Sequence, residues 1–323
     1  MKSLLAVIAT VLPALAIHAA PAPKWTIQTL GDLGAGGTVA YGVNNHGEIV
    51  GYGHTASGQI RAFHWEAGVM TDAGALPPPS FPSALYAIND QGIGVGTGNG
   101  TEVALWEDGD WAPIGREGTP IDLNKFAHVA GTRWNGNGSV AYLYRDGTFQ
   151  DIPALVNYGP GFQSNALALN DRGMVVGAAG VAWGVSHAYT WQDGVMTDLG
   201  TFGGTHSTAK DVNNRGVVVG SASDGVVTRA FVYDGIMRPV CGLMVESDAQ
   251  GINDRGAIIG NIGLQGYLCD NGVLTILNDI PAVQAAGWRQ LFPQDINERG
   301  WIVGWGFKVG GSPNGEAFVL MPK

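Results

Sequence analysis

Hydrophobic and polar positions along the chain fall into short runs, and one phrase keeps returning: an apolar residue, Asn, two polar residues, Gly, a brief apolar run and a closing Gly. The clearest copy runs from Leu169-Asn170-Asp171-Arg172-Gly173 to Gly177. Others span Val43-Asn44 to Gly51, Ile88-Asn89 to Gly96, Val212-Asn213 to Gly220, Ile252-Asn253 to Gly260 and Ile296-Asn297 to Gly304. A worn copy, Leu123-Asn124 to Gly131, has Ala127 in place of the first Gly. In all seven copies the closing Gly follows the Asn by seven residues, and successive Asn residues lie 35 to 46 positions apart. So regular a spacing marks an internal repeat.

Each repeat holds four runs of strand character. The first is the apolar approach to the Asn, such as 209–212, and the second is the run before the closing Gly, such as 217–219. The third joins Ala to a large residue: Ala62-Phe63, Ala104-Leu105, Ala141-Tyr142, Ala188-Tyr189, Ala230-Phe231 and Ala317-Phe318, with Gly266-Tyr267 as the degenerate copy. The fourth follows a turn such as Asp193-Gly194 or Asp234-Gly235. In Asn-x-x-Gly the glycine accepts positive φ, so the chain reverses without steric cost. A calcium loop is the functional alternative for that turn, but it needs ligands at alternate positions and a closing carboxylate, which these turns lack.

Four strands in roughly 40–45 residues make the unit of a β-propeller. The pattern therefore predicts an all-β fold over residues 23–323, a seven-bladed β-propeller of four-stranded antiparallel blades. Such a ring must close. The last repeat ends after its third strand, while Lys24 to Leu30 and the following Gly31-Asp32-Leu33-Gly34 resemble a fourth strand such as Met196-Thr197-Asp198-Leu199-Gly200. The N-terminal strand is expected to pair into the last blade and leave no open edge.

The third-strand residues His187-Ala188-Tyr189, Arg61-Ala62-Phe63 and Arg229-Ala230-Phe231, with Met-Thr-Asp-Leu-Gly and Ile-Asn-x-x-Gly elements, resemble the HAF-repeat family of exported bacterial proteins. The resemblance spans nearly the whole chain after residue 22. It implies export and a propeller-like fold, and carries no common activity with it. Many members have a C-terminal sorting segment, whereas the repeats here run to Met321-Pro322-Lys323, so surface anchoring is not expected from the resemblance.

Composition narrows the function. Charged residues are only 14% against 51 glycines, as suits short strands and tight turns with few solvated helices. A net charge of -10 argues against nucleic acid and offers no polybasic patch to anionic lipid. Lys2, the apolar run from Leu4 to Ile17 and the small residues from Ala16 to Ala22 read as a signal peptide over residues 1–22, hence a secreted or periplasmic protein. The apolar run is too short to span a bilayer comfortably, so no membrane span is expected in the mature chain. A monomer is expected. Cys241 and Cys269 lie in neighbouring repeats at different strand positions, leaving one bridge or two buried thiols as alternatives. No metal-ligand spacing and no cofactor motif appears in the sequence.

Blade topology puts the uniform Asn-x-x-Gly and Asp-Gly turns on one face and the loops of varied length on the other, where binding residues belong. Three sets of residues are candidates. Asp122, Asp211 and Asp295 stand two residues before the Asn in alternate repeats; as paired carboxylates they suit acid–base chemistry, with His54 and His206 as further ionisable groups. Bonding to nearby amides is their structural alternative. A hydroxyl six residues before the Asn (Thr38, Ser83, Ser164, Ser207, Ser247) is expected to cap loop amides or ring the channel mouth. Trp134, Phe162, Trp183, Phe202, Trp288 and Arg289 fall in the varied loops, where aromatic rings stack on sugars or fill gaps between blades. No Gly-x-Ser-x-Gly elbow is present. The sequence thus favours a binding or interaction module for a glycan or other cell-envelope polymer. A polysaccharide lyase or glycoside hydrolase, and a passive structural repeat, are the alternatives.

Overall fold

A computed structural model of the chain describes residues 25–77, 81–156 and 163–323. The expected signal peptide, residues 1–22, lies outside them. The described residues form seven four-stranded antiparallel sheets, the blades of a propeller. Blades 1 to 6 occupy 34–72, 84–117, 119–152, 164–200, 207–239 and 247–276; blade 7 takes 288–322 and adds Trp25–Thr29 as its outer strand. That strand pairs antiparallel with Glu316–Pro322, from Trp25 opposite Pro322 to Thr29 opposite Phe318, and closes the ring as the repeat pattern predicts.

The repeated phrase fixes the inner edge of every blade. Each first strand carries a β-bulge three residues before its Asn, as between Ala209 and Asp211 or Ala249 and Gly251. The bulge brings a backbone carbonyl against the second strand at the closing Gly. A Cβ on Gly177 would lie 1.8 Å from the Asn165 carbonyl oxygen, and one on Gly220 2.0 Å from that of Thr208. Only glycine fits so close an approach.

The seams between blades are filled by seven hydrophobic clusters, each drawn from two neighbouring blades. At the seam of blades 3 and 4, Ala141, Leu143 and Ile152 pack on Ala166, Leu169, Val175 and Tyr189. Trp65, Trp106 and Trp191 are buried in such seams. Trp25 and Ile27 of the closing strand pack on the cluster between blades 6 and 7.

Polar side chains lock the same seams. The seven Asn residues form a closed ring: each amide NH2 donates to the backbone carbonyl of the Asn in the next blade, ending with Asn297 to Asn44 at 2.8 Å. The Asn170 side-chain oxygen accepts from the Arg172 and Met174 N–H groups of its own turn. One side chain thus shapes its turn and binds its neighbour. The buried hydroxyls of Thr38, Ser83, Ser164, Ser207 and Ser247 act across seams rather than capping loops: each accepts the N–H of the third-strand Ala of the preceding blade. Cys241 and Cys269 form a disulfide between blades 5 and 6, which settles the alternatives left by their spacing.

The segment 282–291 departs from its expected loop. Pro281–Ala285 is a short helix, and the first strand of blade 7 begins already at Trp288. That strand is nine residues long and pairs Trp288 with Lys308, so its start lies in the sheet.

Candidate functional site

The geometry of the ring gives two places where ligand chemistry can gather: the central channel and the face of varied loops. The channel is lined by the bulged residues and those beside them. On the loop side of the Asn ring is a cavity of about 370 Å³. Toward the uniform turns, another of about 430 Å³ is bounded by the Asn ring itself.

Asp122, Asp211 and Asp295 all line the first cavity, so the ring brings together residues that stand in alternate repeats. Each carboxylate is a backbone acceptor twice over. One oxygen takes the N–H of its own next residue, at 2.7–2.8 Å for Leu123, Val212 and Ile296. The other takes an N–H of the next blade, at 2.7–2.8 Å for Leu169, Ile252 and Val43. The carboxyls keep an edge to the channel, but the protein around them excludes most solvent, and this burial is the main cause of their raised pKa values. Asp122 is pushed up to about 8, Asp211 to about 7 and Asp295 to about 6, with the backbone donors opposing the rise. Mutual repulsion adds to the shifts of Asp122 and Asp211.

The two histidines do not join them. His54 is at the end of the second strand of blade 1, its Nδ1 2.9 Å from the Gly37 carbonyl oxygen. His206 precedes blade 5 and lines a separate cavity, its Nδ1 2.7 Å from the Thr205 hydroxyl.

On the loop face, Trp183 stands in the tight turn between strands Val175–Ala182 and Val185–Gln192 and is 78% exposed. It borders a cavity of about 400 Å³ lined by Gln163, Asn165, His206 and Thr208. Trp134 ends the second strand of blade 3 and is 67% exposed. Gln163 links the two, since it lines the Trp183 cavity and packs on Gly138 at the end of the turn after Trp134. The other sequence candidates lie elsewhere. Phe162 is outside the described residues. Phe202 is half-buried against the core between blades 4 and 5, with the Arg229 guanidinium 5.9 Å from its ring. Trp288 does not belong to the loop face: it is 5% exposed and packs edge-on against Phe318, because the strand of blade 7 starts at this residue and turns its ring inward. Arg289, the next residue along, is exposed.

Sequence reasoning missed the bulge position. Three residues before the Asn stand Tyr41, Tyr86, Ile121, Leu167, Lys210, Gln250 and Gln294, all facing the channel. The signal was present: the residue before the Asn is always Val, Ile or Leu, whereas this one changes chemistry from repeat to repeat.

No family model matches the chain, and no curated protein matches it. Solved structures resemble it in fold. An extracellular domain from B. thetaiotaomicron assigned to a one-component system has a TM-score of 0.57 and 11% identity; the match covers 91% of this chain and 39% of that one. The chain therefore spans about two-fifths of that protein domain's length. YCF48, solved bound to a D1 peptide, has a TM-score of 0.55 and 13% identity over 94% of this chain and 98% of that one. Pyrococcus horikoshii acylaminoacyl peptidase has a TM-score of 0.51 and 10% identity over 83% and 49%. At such identities the likeness is that of the β-propeller fold.

Proposed function

We propose that this chain is an exported binding module that takes a glycan or other cell-envelope polymer on its loop face, at blades 3 to 5. The observation that carries the reading is the cavity under Trp183. An exposed indole stands over side chains that donate and accept hydrogen bonds, and a second exposed indole, Trp134, lies along the same face. Aromatic faces stack on the C–H faces of sugars, and convergent amides and hydroxyls orient their hydroxyl groups. The disulfide supports export, since such bonds persist in oxidising compartments.

Catalysis by lyase or hydrolase chemistry has less support. The three channel carboxyls are each engaged by two backbone N–H groups, and the histidines sit apart from them. A second reading does have its own observation. Val226, Leu264 and Val309 are exposed at the second-to-third strand turns of blades 5, 6 and 7, continuing round the rim from Trp134 and Trp183. Aliphatic tips do not stack on sugars, and they favour a polypeptide partner on that part of the face.

The test is a binding screen of the mature protein against cell-envelope and plant polysaccharides, with turnover followed in the same wells. Saturable binding is expected, weakened about tenfold or more by Trp183→Ala and less by Trp134→Ala, with no loss of polymer. Binding that both variants retain in full would remove the loop-face site. Polymer cleavage would replace the module with an enzyme.

A further inference from the structure

The channel holds chemistry that neither the Asn ring nor the loop-face cavity uses. On the loop side of the ring its wall is divided. Blades 1 and 2 supply Tyr41 and Tyr86, stacked with centroids 5.5 Å apart. From there a line of rings climbs toward the loop face, Tyr41 to Tyr52 at 5.8 Å and Tyr52 to His54 at 6.3 Å. Across the ring, blade 5 supplies Lys210, and the polar arc runs on through blade 6 to Gln294 of blade 7, which adjoins blade 1. Among the described residues, neither side chain has a hydrogen bond or ion pair. Gln250 of blade 6 donates its amide to Asp248 at 2.8 Å, which leaves its carbonyl for the channel.

A half-buried ammonium and amide without partners are costly unless water or a ligand meets them. The ligand must also suit an aromatic wall and a volume of about 370 Å³. An apolar molecule would leave Lys210 and Gln294 unpaired. A small inorganic anion would not use the tyrosines and would face three carboxyls. A pyranose ring meets both walls, because its C–H face stacks on an aromatic ring and its hydroxyls both donate and accept.

We infer that the channel is a saccharide subsite, holding one or two sugar units between the Tyr41–Tyr86 pair and the Lys210, Gln250 and Gln294 wall. The inference rests on the glycan reading and deepens it: a polymer held at blades 3 to 5 reaches over the channel mouth and lowers one end into the channel.

The test titrates cellobiose, N,N′-diacetylchitobiose and digalacturonate into the mature protein by calorimetry, beside the full-length polymers. At least one disaccharide binds at one site per chain, and Lys210→Met and Gln294→Ala each weaken it tenfold or more while melting like the wild type. Val195→Ser, on the uniform-turn face, is the control that changes neither disaccharide nor polymer binding. The charged and neutral probes show whether the Lys210 ammonium selects an acidic sugar. Polymer binding with no disaccharide binding, or disaccharide binding unchanged in both channel variants, overturns the subsite and leaves the loop-face reading standing. Loss on Trp183→Ala with none on Lys210→Met places the sugar in the loop-face cavity and overturns the subsite too. No binding of any saccharide overturns both readings.

Discussion

At the scale of single residues, the repeated phrase is a set of solutions to steric and hydrogen-bonding problems, and its one worn copy shows what each letter contributes. Gly173 and Gly216 take φ of +77° and +84° in their turns, and Ala127 is held at +57° in the same place. A non-glycine residue there is strained, by about 1 kcal/mol or more. Ala127→Gly should therefore stabilise the protein by about 1 kcal/mol, less the entropy that glycine costs the unfolded chain, as read by denaturant midpoint. The closing Gly gives the opposite result. With a carbonyl oxygen 1.8 Å from the Cβ position, Gly177→Ala must push two strands apart. A loss of about 2–3 kcal/mol is expected, in the upper range for overpacking. A midpoint unchanged by Gly177→Ala would mean that the bulge is not the reason for that glycine. Both roles are visible in the sequence as a spacing. Their cause is not, because a bulge appears only when the strand's partner is in place.

At the scale of elements, the blades are held by side chains that cross from one sheet to the next. Ser207 accepts the Ala188 N–H at 2.8 Å and donates to the Gly200 carbonyl, so Ser207→Ala leaves a buried N–H unpaired at the seam of blades 4 and 5. That should cost about 1–3 kcal/mol, measured by equilibrium unfolding, with Ser207→Thr losing less. The next seam has a covalent clasp. The Cys241–Cys269 bond closes a separation of 28 residues, and replacing both by Ser should lower stability by about 3–4 kcal/mol in the chain-entropy account. Stability indifferent to reductant would argue that the bridge adds nothing to the seam. Strand number and order were legible from hydrophobic spacing, but these cross-seam partners were not. Ser207 and Ala188 are 19 residues apart with no pattern linking them, and Cys241 reaches its partner through a tight turn at Val240–Gly242 where it adopts φ +46°. The same gap explains Trp288. The run 282–291 lacks a repeated letter to announce that its strand has begun, so a core ring is read as a loop ring.

At the scale of the whole molecule, seven seams must all close at once, and the channel carboxyls make that closure depend on pH. Asp122, Asp211 and Asp295 tie three seams, between blades 3 and 4, 5 and 6, and 7 and 1. Their pKa values in the folded ring, about 8, 7 and 6, all lie above the 3.8 of a free side chain. The folded state therefore binds more protons than the unfolded chain between these limits. Stability from these groups is full below about pH 4 and is lost as pH rises through 6 to 8. Asp151 works the other way: Arg133, and then Arg116, hold its pKa low, so its contribution fades as acid protonates it. Maximum stability should fall in the mildly acidic range, with the melting temperature dropping by at least about 5 °C from pH 5 to pH 8.5, a few kcal/mol for a domain of this size. Asp122→Asn should flatten that slope most, since its carboxyl is raised furthest and the amide oxygen still accepts one of its two backbone bonds. A melting temperature that rises from pH 5 to pH 8.5 would show that the carboxyls stay ionised in the ring, leaving Lys210 in a channel of fixed negative charge where neutral or cationic ligands are favoured over acidic sugars.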